Sequence, residues 1–258
     1  MRTIAICTQK GGTAKTTTAS VLASCLRRKG KRVLLVDLDQ QRNLSKLMKA
    51  DTATAGTSLA LFLQATSAKD IIQHTKQGDI IASGKNLQAT DILLKDQTGK
   101  EFLLKEALKG LADDYDFIVL DCPPALGVVT VNALTASDIA IIPAEASGFS
   151  MEGTDDVGET IAQVKKYCNP DLIVGGVLLT RYEVNSNLSK AMIAIAASMA
   201  KQLGTKLYET TIRNSVRVRE AQLLKKDLFD YAGDSNPAKD YEAFTEELLQ
   251  DIEKGEQQ

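Results

Sequence analysis

Short apolar runs separated by amphipathic helical patterns are the feature that most limits the folds open to this chain. Several runs are continuously apolar, which is typical of strands buried on both faces of a parallel sheet. Parallel strands need a crossover connection, usually a helix. The alternation therefore predicts an α/β fold with a doubly wound, mainly parallel sheet, whose ligands bind at the carboxyl ends of the strands. The predicted strands are Thr3–Thr8, Arg32–Asp37, Phe117–Asp121, Asp138–Pro143 and Leu172–Thr180.

Three segments show the spacing of an amphipathic helix. Thr16–Lys29 and Ser189–Leu203 have apolar residues at i, i+3, i+4 and i+7, and Gly204 is a candidate carboxyl cap. A last helix is expected from Asn236, a cap residue followed by a first-turn proline. The side chains expected to face the core are Ala19, Leu22, Ala23, Leu26, Met192, Ile195, Ala196, Met199, Leu203, Tyr241, Phe244, Leu248 and Ile252.

The length suits one domain. A chain of 258 residues with 44% hydrophobic residues can bury a large core, and α/β folds of this size are commonly single domains. No repeat or long linker interrupts it, so we expect residues 1–258 to form one domain. Residues 51–100 are the least regular part, and we expect short helices there with one strand near Asp79–Ala82. Because the first predicted strand begins at once, no helix-turn-helix domain is expected before it.

The loop after the first strand has the composition of a phosphate-binding loop. It reads Gln9-Lys10-Gly11-Gly12-Thr13-Ala14-Lys15-Thr16-Thr17, between a strand and a helix. Adjacent glycines permit close backbone approach, and successive N–H groups at a helix start can surround phosphate oxygens. In such loops the lysine before the helix reaches the β- and γ-phosphates, and the following hydroxyl binds Mg²⁺. Lys15 and Thr16 are the candidates.

Carboxylates follow two other apolar runs. Asp37 and Asp39 come at the end of Val33-Leu34-Leu35-Val36, and Asp121 follows Phe117-Ile118-Val119-Leu120. At the carboxyl end of a parallel sheet, these groups would lie near bound ligand. Asp121 is expected to reach Mg²⁺ through water, because Mg²⁺ keeps part of its hydration. The prolines at 123 and 124 then force the chain out of the sheet.

Composition excludes several classes of protein. No apolar run approaches the roughly 18–20 residues that a membrane span requires, and no signal peptide is evident, so we expect a cytoplasmic protein. Four dispersed cysteines without a C-x-x-C pair argue against a metal cluster, and the single histidine, His74, is expected at the surface. The formal charge of −2 alone would argue against nucleic-acid binding, but it does not report where charges lie.

The motifs together resemble those of the ParA/Soj branch of the ParA/MinD ATPases. Glycine is absent from two positions of the ordinary Walker pattern, where Gln9 and Ala14 stand. The sequence K-G-G-x-x-K-T from Lys10 to Thr16 instead matches the deviant Walker A motif. The D-x-D-x-Q segment from Asp37 and the h-h-h-h-D-x-P-P segment ending after Asp121 also match. Agreement extends to Ile141–Pro143, Phe149–Gly153, Gly175–Tyr182, Asn187–Ser189 and Thr211–Ala221.

The resemblance implies an ATP·Mg²⁺-dependent sandwich homodimer. It assigns Lys10 to the partner's phosphates, Asp39 to the attacking water and Asp37 to the surroundings of Mg²⁺. Thr180 and Arg181 would lie near the nucleotide at the end of the strand that leads to the base. Arg213 replaces a proline of the family pattern, and Arg219 a serine. The expected catalytic residues are Lys10, Lys15 and Asp39; the expected nucleotide-binding residues are Lys10, Gly11, Gly12, Thr13, Ala14, Lys15, Thr16, Thr17, Thr180 and Arg181; the expected metal-binding residues are Thr16, Asp37 and Asp121.

Three outputs are open to such an ATPase. The first is partition, with non-specific DNA binding, nucleoid association and a stimulating ParB-like partner. The segment 213–226 has five basic residues and one acidic residue, a net charge of +4. The second is MinD-like membrane positioning, which the net charge of −8 over residues 227–258 opposes, so no stable membrane association is expected. The third is a metabolic enzyme of the same superfamily. The expected DNA contacts are Arg213, Arg217, Arg219, Lys225 and Lys226.

Overall fold

The computed structural model describes residues 1–53, 56–145, 152–183 and 187–256; for residues 152–155, 187–190 and 256 it describes the backbone alone. Within these ranges the strands are β1 Arg2–Ile6, β2 Val33–Asp37, β3 Ile72–Thr75, β4 Gly78–Ile81, β5 Phe117–Asp121, β6 Ile139–Glu145 and β7 Ile173–Thr180. They form one sheet in the order β3-β4-β2-β5-β1-β6-β7, parallel except for the pairing of β3 with β4. The predicted doubly wound, mainly parallel α/β sheet is confirmed.

Helices cover both faces of the sheet. They are α1 Lys15–Arg28, α2 Asn43–Leu47, α3 Ser58–Phe62, α4 Thr90–Leu93, α5 Leu103–Leu108, α6 Val128–Thr135, α7 Glu152–Tyr167, α8 Asn187–Gln202, α9 Val216–Leu223, α10 Leu228–Ala232 and α11 Asn236–Glu256. Short 3₁₀ helices occur at Ala68–Ile71, Lys85–Ala89, Lys100–Phe102 and Lys109–Leu111. No described helix has the length and apolar character needed to cross a bilayer.

The core consists of two layers separated by the sheet. Residues that alternate along β2 point to opposite layers, so Leu34 packs with the α5–α8 side and Leu35 with α1 and α11. On the second side Tyr241, Phe244 and Leu248 of α11 are buried, as predicted. Burial on both faces explains why these strands read as continuously apolar runs.

The end of α8 follows the predicted capping chemistry. Gly204 has φ 63°, and its N–H donates to the Lys201 carbonyl. The Thr205 N–H donates to the Ala200 carbonyl, which completes a Schellman motif. The prediction of a buried Ile195 is wrong, because the buried stripe runs through Met192, Ala196 and Met199 and leaves Ile195 36% exposed.

Several predicted boundaries also shift. The first strand ends at Ile6 instead of Thr8, because the chain turns there into the phosphate-binding loop. β6 begins one residue later than predicted and continues to Glu145. The expected strand near Asp79–Ala82 is β4, but its hairpin partner β3 was not predicted. His74 lies on β3 with 77% of its side chain exposed, which confirms it as a surface residue.

Helix α11 is tied to the rest of the domain by ion pairs. Glu242 faces Arg28, and Glu246 lies 2.9 Å from the Lys29 ammonium. The carboxylate oxygens of Glu247 and Asp251 lie 3.0 and 2.7 Å from the ammonium of Lys206. The acidic helix therefore packs against basic groups of its own domain.

Candidate nucleotide-binding site

The loop between β1 and α1 has the backbone geometry of a phosphate nest. Gly12 and Ala14 both have positive φ, 84° and 66°, and no side chain caps the start of α1. A Cβ placed on Gly11 or Gly12 would have no atom within 4 Å, so space is open beside both glycines. The uncapped N–H groups at the start of α1 are thus available to an anion, reinforced by the helix dipole.

Lys15 occupies the centre of this loop. Its ammonium donates to the carbonyls of Thr8 and Lys10, each at 3.0 Å, and the residue is 7% exposed. Burial lowers the pKa of Lys15, although the nearby carboxyl of Asp121 raises it. Neutral carbonyls only partly replace water around a buried cation, so phosphate oxygens would be stronger partners.

Strand register brings two predicted carboxylates together. Asp121 of β5 is the partner of Ile6 on β1 and of Asp37 on β2, so the two aspartates end neighbouring strands beside the loop. Burial raises the pKa of Asp121 well above its ordinary value, and Asp37 raises it further, against the opposing effects of the Thr16 hydroxyl and Lys15.

The surroundings of Asp121 fit a magnesium ion. The residue is 1% exposed, and although the Thr16 hydroxyl lies close enough to lower its pKa, neither carboxylate oxygen makes a well-formed hydrogen bond within the described chain. A buried unpaired carboxylate is costly, and a hydrated Mg²⁺ held also by a hydroxyl and phosphate oxygens would satisfy it. The described residues contain no group of three or more metal-ligating side chains that could hold an ion alone. Thr16 and Asp121 would therefore hold Mg²⁺ together with phosphate, and the ion would neutralise phosphate charge.

Asp37 is engaged in organising the following loop. Its carboxylate accepts from the Asp39 N–H at 3.0 Å, and from the N–H and hydroxyl of Ser45 at 2.8 and 2.6 Å. Burial raises its pKa, and these donors oppose the increase. The Ser45 oxygen also accepts from the Ser83 N–H. Sequence reasoning missed Ser45, which carries no motif. The assignment of Asp37 to the surroundings of Mg²⁺ stays a prediction.

Asp39 lies on the same loop and is 8% exposed. One of its oxygens accepts from the Gln41 N–H at 2.9 Å, and its charge raises the pKa of Lys15. The loop therefore holds a carboxylate close to the predicted phosphate position. Its assignment to the attacking water remains a prediction.

Thr180 and Arg181, both predicted to bind nucleotide, lie at the end of β7. The Thr180 hydroxyl lies 3.3 Å from the Thr13 carbonyl and 3.2 Å from that of Ala144. Arg181 has φ 52°, and its guanidinium donates to Glu145 at 3.1 Å. Thr180 therefore supports the phosphate-binding loop directly, whereas the Arg181 side chain contacts the end of β6.

Arg213 is bound within its own domain. Its backbone N–H donates to Asp240 of α11 at 3.0 Å, and its guanidinium donates to both oxygens of the same carboxylate, the shortest at 2.6 Å. A proline here would lack that N–H. The structure thus gives Arg213 a structural partner, and its expected DNA contact stays a prediction.

The other predicted DNA contacts lie on one segment, α9 and the turn after it. Arg217 pairs with Glu220 at 3.1 Å but remains 57% exposed. Arg219, Lys225 and Lys226 are exposed. Four basic side chains with one acidic neighbour therefore remain on the surface of residues 216–226, which we call the basic segment.

Part of the predicted site lies outside the described residues. Two segments that resemble the family pattern are affected. Most of Phe149–Gly153 lies within residues 146–151, which are not described, and the side chains of Asn187–Ser189 are not described either.

Comparison with known proteins identifies close relatives of this arrangement. A family model described as an AAA domain matches residues 1–174. The sporulation initiation inhibitor protein Soj of Bacillus subtilis is 37% identical over 92% of this chain and 94% of its own. The chromosome partitioning protein ParA of Myxococcus xanthus is 33% identical over 96% of this chain and 88% of its own.

A similar solved structure is cobyrinic acid a,c-diamide synthase from Mycobacterium smegmatis, with an ATP analog and magnesium bound. It has a TM-score of 0.85, 29% sequence identity, and coverage of 99% of this chain and 97% of its own. With the loop, the lysine and the unpaired aspartate described above, the similarity gives ATP and Mg²⁺ as the ligands of this site.

Proposed function

Because the chain belongs to the ParA/Soj family of deviant Walker A ATPases, and therefore hydrolyses ATP, we propose that it is a partition ATPase. Two subunits close around ATP·Mg²⁺, and Lys10 of each subunit reaches the phosphates bound by the other. The observation that carries this proposal is that the buried Lys15 ammonium donates to two neutral carbonyls while the nearby Asp121 carboxylate is buried without a well-formed hydrogen bond in the described chain. Phosphate and Mg²⁺ together satisfy both groups, so the nucleotide is part of the structure of the active state.

Dimerisation completes the neutralisation of the γ-phosphate. Phosphoryl transfer spreads negative charge over the phosphate oxygens, and a lysine supplied in trans stabilises that charge only when two subunits meet. Lys10 lies in the exposed part of the loop. Asp39 then orients the attacking water, and hydrolysis separates the subunits. A ParB-like partner stimulates this slow step and ties it to cargo.

DNA is the proposed surface on which the ATP-bound dimer acts. Exposed cations of the basic segment contact phosphates without reading sequence, and a dimer presents two copies. Each phosphate contact steepens the salt dependence of binding by about 0.9 in log K against log salt. The name of the Myxococcus xanthus relative and the exposed cations of the basic segment both support this proposal.

A second candidate is a metabolic enzyme, which the similarity to the diamide synthase favours. Such an enzyme would use the nucleotide for synthesis and would need neither DNA nor a stimulating partner. A membrane-positioning role has less support, because α11 pairs its acidic residues with its own domain. Its remaining negative charge would be repelled by anionic lipid.

The experiment that separates these functions is a retention assay with ATP or ADP at two salt concentrations. We expect the protein to bind non-specific duplex DNA with ATP, and less tightly at higher salt. Retention on anionic liposomes alone would support membrane positioning, and retention on neither would support a metabolic role.

A paired substitution locates the DNA surface. Arg219→Ala with Lys226→Ala removes two cations of the basic segment and should lower the salt slope by about 2 per subunit. Lys165→Ala with Lys166→Ala, at the end of α7, removes the same charge elsewhere and serves as the control. Equal slopes for both variants would refute the assignment of the basic segment.

A further inference from the structure

The basic segment is joined to the phosphate-binding loop by a hydrogen bond between residues far apart in sequence. The Gln222 side-chain amide, on α9, donates to the Thr17 hydroxyl, on α1, at 2.6 Å. Thr17 is buried, and it lies one residue after Thr16 and two after Lys15. A polar side chain of the basic segment therefore contacts the same helical turn that is expected to bind phosphate and Mg²⁺.

Helix α9 buries little apolar surface, although Val218 packs against the core and the Tyr231 hydroxyl donates to Glu220 at 3.0 Å. Ala221 is its one buried residue, whereas Val216 and Leu223 are 54% and 83% exposed. A helix with little buried apolar surface has low local stability, so single hydrogen bonds weigh heavily in its position. Loss of one hydrogen bond of typical strength changes the equilibrium between the docked and the undocked helix about fivefold.

The following turn is fixed by a second link. The Lys225 carbonyl accepts from the Gln77 side chain at 3.2 Å, and Gln77 also donates to the Leu47 carbonyl. Lys225 has φ 51°, a conformation that residues with a Cβ seldom adopt. The end of the basic segment is thus held against the β3–β4 turn, while its helix is held against α1.

The first turn of α1 has a reason to change when nucleotide binds. The Lys15 ammonium now donates to the carbonyls of Thr8 and Lys10, and it would have to release them to reach phosphate oxygens. The residue before it, Ala14, is already in a left-handed conformation. A rearrangement here would alter the environment of Thr17, whose hydroxyl accepts from Gln222.

We propose that the Gln222–Thr17 hydrogen bond transmits phosphate-site occupancy to the basic segment within one subunit. Gln222 is a positioning residue: with the site filled, it holds α9 and thereby orders Arg217, Arg219 and the two lysines after them. The consequence for DNA rests on the proposed function, whereas the coupling of α9 to the nucleotide does not. Thermodynamic linkage makes this coupling reciprocal. DNA bound to the basic segment raises the affinity for nucleotide by the same factor by which nucleotide raises the affinity for DNA.

Hydrogen exchange with and without a non-hydrolysable ATP analog tests the coupling directly. In the unmodified protein we expect the analog to slow amide exchange at residues 9–17 and, about fivefold, at residues 216–223. In Gln222→Met the slowing at residues 9–17 should remain, and that at residues 216–223 should disappear. Thr17→Val removes the other partner of the bond; because Thr17 is also an expected nucleotide-binding residue, the loss of slowing at residues 216–223 supports the coupling only where the slowing at residues 9–17 remains.

Controls separate coupling from a general loss of stability. Gln250→Met alters an exposed glutamine of α11 and should leave the distant slowing intact. The free energy of unfolding of Gln222→Met, measured in urea, should also be lower than that of the unmodified protein by no more than the contribution of one hydrogen bond. The proposal is overturned if α9 shows no nucleotide-dependent slowing in the unmodified protein, or if the slowing at residues 216–223 persists in Gln222→Met.

DNA binding gives a separate readout. If the unmodified protein binds duplex DNA with ATP more tightly than without nucleotide, the ratio of the two affinities should fall about fivefold in Gln222→Met. An unchanged ratio would refute the link between Gln222 and DNA. Failure of the unmodified protein to bind DNA would instead refute the partition function, with the exchange experiment still deciding the coupling.

Discussion

Ala14 offers a quantitative test of the loop geometry, because it has φ 66° immediately before α1. A left-handed conformation costs a non-glycine residue roughly 1–2 kcal/mol. Glycine removes that cost, but it loses roughly 0.5–1 kcal/mol more backbone entropy on folding. The half-buried methyl group contributes a few tenths of a kcal/mol more. Ala14→Gly should therefore stabilise the nucleotide-free protein by about half a kcal/mol.

The measurement is urea and thermal unfolding of the nucleotide-free protein. For a chain of this size, half a kcal/mol raises Tm by about 1–2 °C. Ala162→Gly is the matched control, because Ala162 is an exposed residue within α7 and its loss should cost about 1 kcal/mol. The two variants should thus differ by about 1.5 kcal/mol. If Ala14→Gly destabilises the protein as much as the control, the strain assigned to this loop is wrong.

Three further predictions concern the site and its supports. Lys15→Ala should abolish ATP binding measured by calorimetry, whereas Asp39→Ala should bind ATP but release no phosphate; normal turnover by the second would contradict its role. Asp240→Asn weakens the pair with Arg213 and should cost about 1–2 kcal/mol in urea unfolding, and an unchanged midpoint would contradict this. Burial raises the pKa of Glu247, but hydrogen bonds from a lysine and two backbone N–H groups outweigh it and lower the pKa below 4.5. The stabilisation that ionised Glu247 provides is therefore complete above pH 4.5 and is lost as the pH falls through the lowered pKa. Glu247→Gln should be less stable than the unmodified protein at pH 7, and this difference in the free energy of unfolding should shrink in acid. An equal difference at pH 3 and pH 7 would contradict this.

The parts of the fold that were predicted correctly have local sequence signals. β5 was predicted at its observed bounds, because four apolar residues followed by Asp121 and two prolines mark both its burial and its exit from the sheet. The phosphate-binding loop is similarly local, since its glycines, lysine and hydroxyl are contiguous. Sheet adjacency then places Asp121 beside the loop, which the general rule for parallel sheets anticipates.

The features that were missed depend on pairing between distant segments. β3 is short, largely polar and antiparallel at the sheet edge, so its sequence lacks the apolar signal of the central strands. Ile195 fits the helical spacing but lies beside the buried stripe, and only the packing of α8 decides which residues are covered. The pairing of Arg213 with Asp240, like that of Gln222 with Thr17, joins segments that no periodicity relates.

The pair formed by Arg213 and Asp240 gives the basic region a counterion that is part of the chain. When a lysine or arginine in water meets a DNA phosphate, small cations leave the DNA and their entropy favours binding. Arg213 would first have to leave Asp240, which would then recruit a cation of its own, so the net gain of free ions from that contact vanishes. If the basic segment binds DNA, the salt slope should consequently reflect Arg219, Lys225 and Lys226 most strongly, because Arg217 also has an acidic partner, Glu220. Under the proposed function, the Asp240 carboxylate of α11 would thus weaken the attraction between a single subunit and a polyanion.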